Sequence, residues 1–116
     1  MPRGDRPLLG AAELQHLRPG AILVNTARGS VVDELALTEA LSSGHIAAAG
    51  LDVFDPEPPS THNPLLEMDQ VILTPHIAGL TTQAAERMAV YSVKNVLDFF
   101  AGALDPALIV NREFVK

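Results

Sequence analysis

The chain has 116 residues, of which 47% are hydrophobic, and its formal net charge is −6 at pH 7. This length allows one small domain or part of a larger one, and the hydrophobic fraction is too high for a disordered chain. The negative charge argues against nucleic acid or an anionic membrane surface as a partner, because both bind clustered Lys and Arg.

The chain contains no cysteine, which excludes disulfides and thiolate metal sites and fits a cytoplasmic location. Its first ten residues, MPRGDRPLLG, lack the apolar core of a secretory signal, and no run of about 18 apolar residues occurs. We therefore expect neither a signal peptide nor a membrane-spanning helix.

Predicted helices and strands alternate along the chain. A short helix is predicted at 10–17, followed by an apolar strand at 21–26 and a second helix at 35–42. Further apolar runs at 47–54 and 71–74 predict two more strands. Their nearly continuous hydrophobicity is typical of parallel strands covered on both faces. The alternation indicates an α/β fold with right-handed crossovers.

The longest helix is predicted over 82–100, with Thr81 or Thr82 as its N-cap and Gly102 beyond its end. Apolar residues recur along it at i, i+4, i+7, i+8 and i+11, which is the spacing of one buried helix face. These residues are Ala89, Val93, Val96, Leu97 and Phe100. The spacing predicts that this face packs against a core.

Polar side chains collect where the predicted strands end. Arg28 follows the first strand, Asp52 lies near the end of the second, and His76 follows the third. Glu57 lies beyond the second strand, in a loop (55–64) that four prolines make stiff. Ligands of open parallel α/β sheets bind beyond the carboxyl ends of the strands, so these residues predict a site at that edge.

Each of these residues also has an ordinary structural interpretation. Arg28 and Glu57 fit a solvated surface, and His76 fits a structural histidine. Asp52 is harder to explain in that way, because a carboxylate within an apolar run needs a partner or a ligand. The four residues together favour a functional site.

The chemistry that suits these groups is reduction of a 2-keto acid. An arginine can grip a carboxylate or polarise a carbonyl, a histidine can donate a proton near neutral pH, and a carboxylate can orient the imidazole. The carbonyl would receive a hydride on carbon and a proton on oxygen, and the hydride requires a cofactor. Spacings typical of zinc sites, of α/β-hydrolase nucleophiles and of phosphate-binding loops do not occur.

The segments PGAILVNTARGSVVDELALTEALSSGHIAAAGLDVFDPEPP and NPLLEMDQVILTPHIAGLT resemble the D-isomer-specific 2-hydroxyacid dehydrogenases. That family includes phosphoglycerate dehydrogenases and glyoxylate/hydroxypyruvate reductases, and the resemblance extends over about residues 8–111. It implies an oxidoreductase that transfers a hydride between NAD or NADP and a small 2-hydroxy or 2-keto acid. It also implies a partial Rossmann-like parallel sheet followed by a long C-terminal helix.

The resemblance implies roles for individual residues. Arg28 of NTARG would bind the substrate carboxyl and carbonyl, Glu57 would pair with the histidine, and His76 would donate the proton. Asp52 would contact the nicotinamide amide. Residues implied to line the nicotinamide side of the cleft are Thr26, Ala27, Arg28, Asp52, His76, Ile77, Ala78 and Gly79. No metal site is expected.

The family's GxGxxG turn, which seats the pyrophosphate of the cofactor, does not occur in this chain. Residues 8–80 are therefore expected to be the C-terminal half of the cofactor-binding domain, and 81–116 the helix and tail that return toward the substrate domain. We expect a fragment whose first strand leaves an open apolar edge, so that the isolated chain is marginally stable or self-associates. The alternative is a non-catalytic remnant that acts as an association module through its open edge and long helix. A homo-oligomer is compatible with either interpretation.

Overall fold

The structure is a computed structural model that describes residues 6–114. Its helices and strands are, in chain order, α1 (Ala11–Gln15), β1 (Ala21–Asn25), α2 (Glu34–Ser42), β2 (Ile46–Leu51), β3 (Val71–Leu73) and α3 (Thr82–Phe100). The described residues form two compact units, the sheet unit (6–78) and the helix unit (79–114). The predicted C-terminal segment 81–116 ends two residues beyond the described range.

The sheet unit contains a parallel sheet in the order β1-β2-β3. Leu23 lies beside Ala49 and Leu51 beside Leu73 in the register. This sheet confirms the predicted α/β class and the parallel pairing. The second strand ends at Leu51 rather than at residue 54 as predicted. The Thr74 N–H still donates to the Leu51 carbonyl, but the next N–H that would continue this ladder, that of His76, donates to the Thr74 carbonyl instead.

The core lies between one face of the sheet and the helices α1 and α2. Leu14 of α1, Leu37 of α2, Ile46 of β2 and Leu65 are fully buried. Burial of an aliphatic side chain of this size stabilises a fold by about 1.5–3 kcal/mol. These contacts therefore stabilise the edge of the sheet at which the strands end and the loops with Arg28, Glu57 and His76 begin.

The opposite face of the sheet is exposed. Ile22 and Val24 on β1 and Ile72 on β3 are 69–73% exposed. The prediction that both faces of the sheet are covered is wrong for the part of the chain that the structure describes, in which α1 and α2 cover one face only. β1 lies at the edge of the sheet, as expected.

Gly29 lies where the turn after β1 approaches the segment after β2. A Cβ atom at this position would lie 2.0 Å from both the carbonyl carbon and the oxygen of Phe54 and 2.5 Å from the backbone nitrogen of Asp55. No side chain larger than hydrogen fits so close to another backbone. Glycine at position 29 therefore lets the two loops that carry Arg28 and Glu57 meet.

Helix α3 has the bounds that the sequence predicted. The Thr81 hydroxyl caps its start by accepting a hydrogen bond from the Ala84 N–H at 3.0 Å, and Gly102 lies beyond its end with φ +67°. The apolar face is not buried, so the prediction of core packing is wrong here: Val93, Val96, Leu97 and Phe100 are 56–82% exposed, and Ala89 is exposed as well. Within residues 6–114, no helix combines the length and apolarity needed to cross a membrane.

Candidate active site

His76 lies in the turn that follows β3 and has an unusual backbone conformation. Its φ is +55°, in the left-handed region that residues other than glycine rarely adopt. Such conformations cost energy and concentrate at functional sites, where surrounding contacts hold them in place. The His76 turn therefore needs a specific source of stabilisation.

Asp52 supplies that stabilisation. One carboxylate oxygen, Oδ1, accepts hydrogen bonds from the Thr74 hydroxyl and from the Ile77 N–H, and Oδ2 accepts one from the Ala78 N–H at 2.9 Å. Asp52 is only 3% exposed. These bonds are the partners that a carboxylate within an apolar run needs. The Thr74 hydroxyl, helped by the two backbone N–H groups, lowers the pKa of Asp52 and keeps it charged.

His76 and Glu57 form a hydrogen-bonded pair. Nδ1 of His76 lies 2.9 Å from Oε2 of Glu57, and Oε1 of Glu57 accepts a hydrogen bond from the Phe54 N–H at 2.8 Å. The bond to His76, and after it the Phe54 N–H, lowers the pKa of Glu57. The carboxylate therefore accepts a proton held on Nδ1. Nε2 is then the imidazole nitrogen left for a ligand, and the His76 side chain is half exposed.

Arg28 lies in the exposed turn after β1. Its guanidinium donates a hydrogen bond to the carbonyl of Ala27, and among the described residues no hydrogen bond joins it to Glu57 or His76. Its positive charge does help to lower the pKa of Glu57. The buried Asn25 side chain shapes the turn by donating to the Arg28 carbonyl at 2.9 Å and accepting from the Ala27 N–H at 3.1 Å.

The structure thus brings Asp52, Glu57 and the 76–78 turn together and leaves Arg28 as a neighbouring cation. Thr26 and Ala27 lie in the same exposed turn as Arg28. Gly79 belongs to the helix unit. The amino-acid pattern does not mark four further residues of this region as site residues, because an ordinary turn, helix start or strand end explains each of them equally well: Asn25, Gly29, Glu34 and Thr74.

A cavity of about 470 Å³ lies beside the His76–Glu57 pair. Its walls are mostly apolar and come from the loop after β2, the 3₁₀ helix Pro64–Leu66 and the end of β3: Phe54, Pro58, Pro59, Leu66, Leu73 and Pro75. A cavity of this size holds a small organic molecule. Among the described residues no group of three or more His, Asp or Glu side chains could hold a metal ion.

Comparisons with known proteins identify the family of this chain. Residues 3–78 match the family described as D-isomer specific 2-hydroxyacid dehydrogenase, NAD binding domain. The chain belongs to this family. That result confirms the resemblance inferred from the NTARG, DVF and TPHIAG segments, and with it the family's cofactor-binding fold.

Similar proteins are also matched across most of this dehydrogenase-family chain. The glyoxylate reductase of Aeropyrum pernix is 47% identical over 111 residues, which are 96% of this chain and 33% of that protein. The D-3-phosphoglycerate dehydrogenase of Archaeoglobus fulgidus is 43% identical over 95 residues, 82% of this chain and 18% of that protein.

A solved structure of a D-isomer specific 2-hydroxyacid dehydrogenase from Xanthobacter autotrophicus Py2, in complex with NADPH and MES, has a TM-score of 0.77 and 43% identity. It covers 92% of this chain, which in turn covers 46% of it. The chain spans about a third of the length of the glyoxylate reductase that it matches.

Proposed function

We propose that this chain provides the proton-transfer site of an oxidoreductase that moves a hydride between NAD or NADP and a D-2-hydroxyacid or 2-keto acid. The 2.9 Å contact between Nδ1 of His76 and the Glu57 carboxylate carries the proposal, because it orients a half-exposed imidazole with Nε2 left for the substrate. The names of the glyoxylate reductase and phosphoglycerate dehydrogenase relatives support the substrate class. Residues 8–80 would be half of the cofactor-binding domain, and 81–116 the helix and tail beyond it.

The hydrogen-bonding capacity of Asp52 fits a nicotinamide cofactor. A carboxylate offers about four acceptor positions, and Asp52 uses three of them within the chain. The position left on Oδ2 can accept an N–H of a carboxamide, which is the role proposed for Asp52. Thr26, Ala27 and the 76–79 turn would line the same side. NAD or NADP, when bound, supplies the hydride.

Three side chains of the sheet unit would bind the substrate and transfer the proton. Arg28 would bind the substrate carboxylate and polarise its carbonyl, since a guanidinium presents paired donors in a plane. His76 would give a proton from Nε2 to the carbonyl oxygen as the carbon receives the hydride. Glu57 would hold the Nδ1 proton and stabilise the imidazolium before the transfer.

A chimera tests the proposal. The matched third of the Aeropyrum pernix glyoxylate reductase is replaced by this chain, and oxidation of NADH or NADPH is followed with glyoxylate. We expect turnover by the chimera and a loss of about 10²–10⁴-fold in kcat for His76→Ala, the range typical of a general acid. Cofactor affinity should change little, because Nε2 acts on the substrate.

His62→Ala is the matched control, since His62 is an exposed histidine of the proline-rich loop whose described contact is made by its backbone N–H. It should leave kcat and cofactor affinity unchanged. A chimera that melts cooperatively and binds cofactor but does not reduce glyoxylate would contradict the proposed function. Equal losses of turnover and cofactor affinity in His76→Ala would indicate a structural role for the histidine instead.

The exposed sheet face supports a second candidate, an association module. Ile22, Val24 and Ile72 form an apolar surface, and such surfaces commonly mark contacts between proteins. Sedimentation velocity over a range of concentrations would detect a homo-oligomer, and the Ile22→Thr/Val24→Thr variant should dissociate it. A chain that stays monomeric at all concentrations would contradict this candidate.

A further inference from the structure

We infer that Glu34, in the first turn of α2, is a positioning residue for the His76–Glu57 pair. This inference rests on the proposed function, because the pair it positions is the one proposed to transfer the proton. Glu34 lies 23 positions before Glu57 in the sequence. It acts on the pair through the backbone of the loop that carries Glu57.

The Glu34 carboxylate bonds to both ends of the proline-rich loop. Oε1 accepts a hydrogen bond from the Asp55 N–H at 2.9 Å, and Oε2 accepts one from the Asn63 side-chain amide at 2.6 Å. Asp55 is the first residue of the loop, and Asn63 is the last before the 3₁₀ helix Pro64–Leu66. One side chain therefore holds the loop on both sides of Glu57. The partly buried Glu34–Asn63 bond joins residues 29 positions apart.

The bonds continue directly to the proposed site. Asp55 follows Phe54, whose N–H donates to Oε1 of Glu57, and Oε2 of the same carboxylate faces Nδ1 of His76. Loss of the Glu34 anchor would remove the acceptor of the Asp55 N–H and the bond to Asn63, and so allow the loop between residues 55 and 63 to shift. Glu57, two residues further along this loop than Asp55, would then be held less firmly against the Phe54 N–H and the imidazole.

Asn63 is suited to its place because it serves two partners at once. Its amide nitrogen donates to Glu34, while its Oδ1 caps the 3₁₀ helix Pro64–Leu66 by accepting the Leu65 N–H at 3.1 Å. Leu65 is fully buried, so this cap ties the end of the loop to the core. The anchor therefore connects the core, the loop and α2.

A reciprocal exchange of donor and acceptor gives a sharp test. Glu34→Gln alone loses one of the two bonds, because its NH₂ group must face either the Asn63 NH₂ group or the Asp55 N–H. Asn63→Asp alone sets two carboxylates against each other. In Glu34→Gln/Asn63→Asp the amide at position 34 can donate to the carboxylate at 63 while still accepting from the Asp55 N–H. The pair of changes keeps the net charge, restores the bond between positions 34 and 63 with its direction reversed, and leaves the Asp55 and Leu65 N–H groups with their acceptors.

The readouts are the hydrogen-exchange rate of the Phe54 amide and the ¹⁵N spectrum of the His76 ring, both measured on the full chain without cofactor or substrate. We expect each single variant to speed Phe54 exchange by about tenfold, which corresponds to loss of a hydrogen bond, and to weaken the Nδ1-protonated signal of His76. The exchanged pair should return both readouts to within about twofold of the parent. Glu39→Gln, an exposed position on the same helix, is the control and should change neither.

The inference is overturned if the single variants alter only the Asp55 amide and leave Phe54 and His76 as in the parent. It is also overturned if the exchanged pair behaves like the single variants. Should a single variant unfold, the exchanged pair decides alone: a recovered fold with a protected Phe54 amide supports the inference, and any other result contradicts it. Because no turnover is measured, an inactive chimera would refute the proposed function without affecting this result.

Discussion

Helices α2 and α3 begin in the same way but are held differently. Each has an N-cap side chain that accepts backbone N–H groups, Asp33 for α2 and Thr81 for α3. The nine residues of α2 include four buried ones, whereas none of the 19 residues of α3 is buried. Helix α2 is thus fixed by the core of the sheet unit, while α3 relies on its cap, its own hydrogen bonds and side-chain pairs such as Lys94–Asp98.

This difference shows where the candidate site obtains its rigidity. Most helical stability in proteins comes from packing of an apolar face, so an unpacked helix is marginal even when its sequence favours helix. The side chains proposed to act lie in the sheet unit, on loops tied to α2, β2 and β3. The helix unit presents an apolar face instead, which suits an element that contacts another surface.

The largest expected effect is on the free energy of unfolding, and it differs between the two helices. Leu37→Ala in α2 removes a fully buried side chain and should destabilise the fold by about 2–5 kcal/mol. Leu97→Ala in α3 removes a side chain that is 64% exposed and should change the free energy of unfolding by no more than about 0.5 kcal/mol. Denaturant unfolding measures both, and a large loss for Leu97→Ala would show that the α3 face is covered in solution.

Gly29→Ala should break the contact between the two loops of the sheet unit. The added methyl group meets the Phe54 backbone, which cannot swing aside as a flexible side chain would, so we expect a loss of about 3 kcal/mol in unfolding free energy. Gly50→Ala is the matched control, because its Cβ would meet only Val24 at 3.7 Å, an ordinary contact. Equal melting temperatures for the two variants would refute the close approach.

Acidification should weaken the sheet unit through Asp52 and Glu57. Both pKa values are lowered in the folded chain, Asp52 mainly by the Thr74 hydroxyl and Glu57 mainly by His76. A lowered pKa contributes stability that is present above the ordinary values of 3.8 and 4.5 and is lost as the pH falls through the folded values. The melting temperature should therefore be steady near neutrality and fall below about pH 4.5.

Asp52→Asn tests the assignment of that acid sensitivity. The variant should melt at a lower temperature near neutrality, because an amide NH₂ would face backbone N–H groups, and its stability should depend less on pH below 3.8, the ordinary value for this carboxyl group. The exposed Asp69→Asn variant should keep the parent profile. A steep acid transition that survives in Asp52→Asn would assign the sensitivity to other carboxyl groups.

The sequence predicted the parts of this molecule that depend on local pattern. Continuous apolar runs predicted the parallel strands. The family motifs predicted that Glu57 pairs with His76, which lies 19 positions further along the chain. The isolated carboxylate of Asp52 required a partner, and Thr74, Ile77 and Ala78 provide it.

Other features depend on three-dimensional contacts and left no signal in the sequence. Glu34 at a helix start is an ordinary choice beside a helix dipole, so its bonds to residues 21 and 29 positions away could not be inferred. Gly29 is one of eight glycines in the sequence, and only the structure shows that the Phe54 carbonyl lies beside it. The apolar face of α3 has the spacing of a buried face, but periodicity does not say what covers it.

A double-mutant cycle in the chimeric reductase tests most directly the claim that His76 and Glu57 act as one unit. The kcat for glyoxylate reduction is measured for the parent, Glu57→Gln, His76→Ala and the double variant. If the carboxylate works through the imidazole, the double variant should be no slower than His76→Ala alone, because Glu57 has nothing left to hold. Losses that multiply in the double variant would show two independent roles and contradict the account.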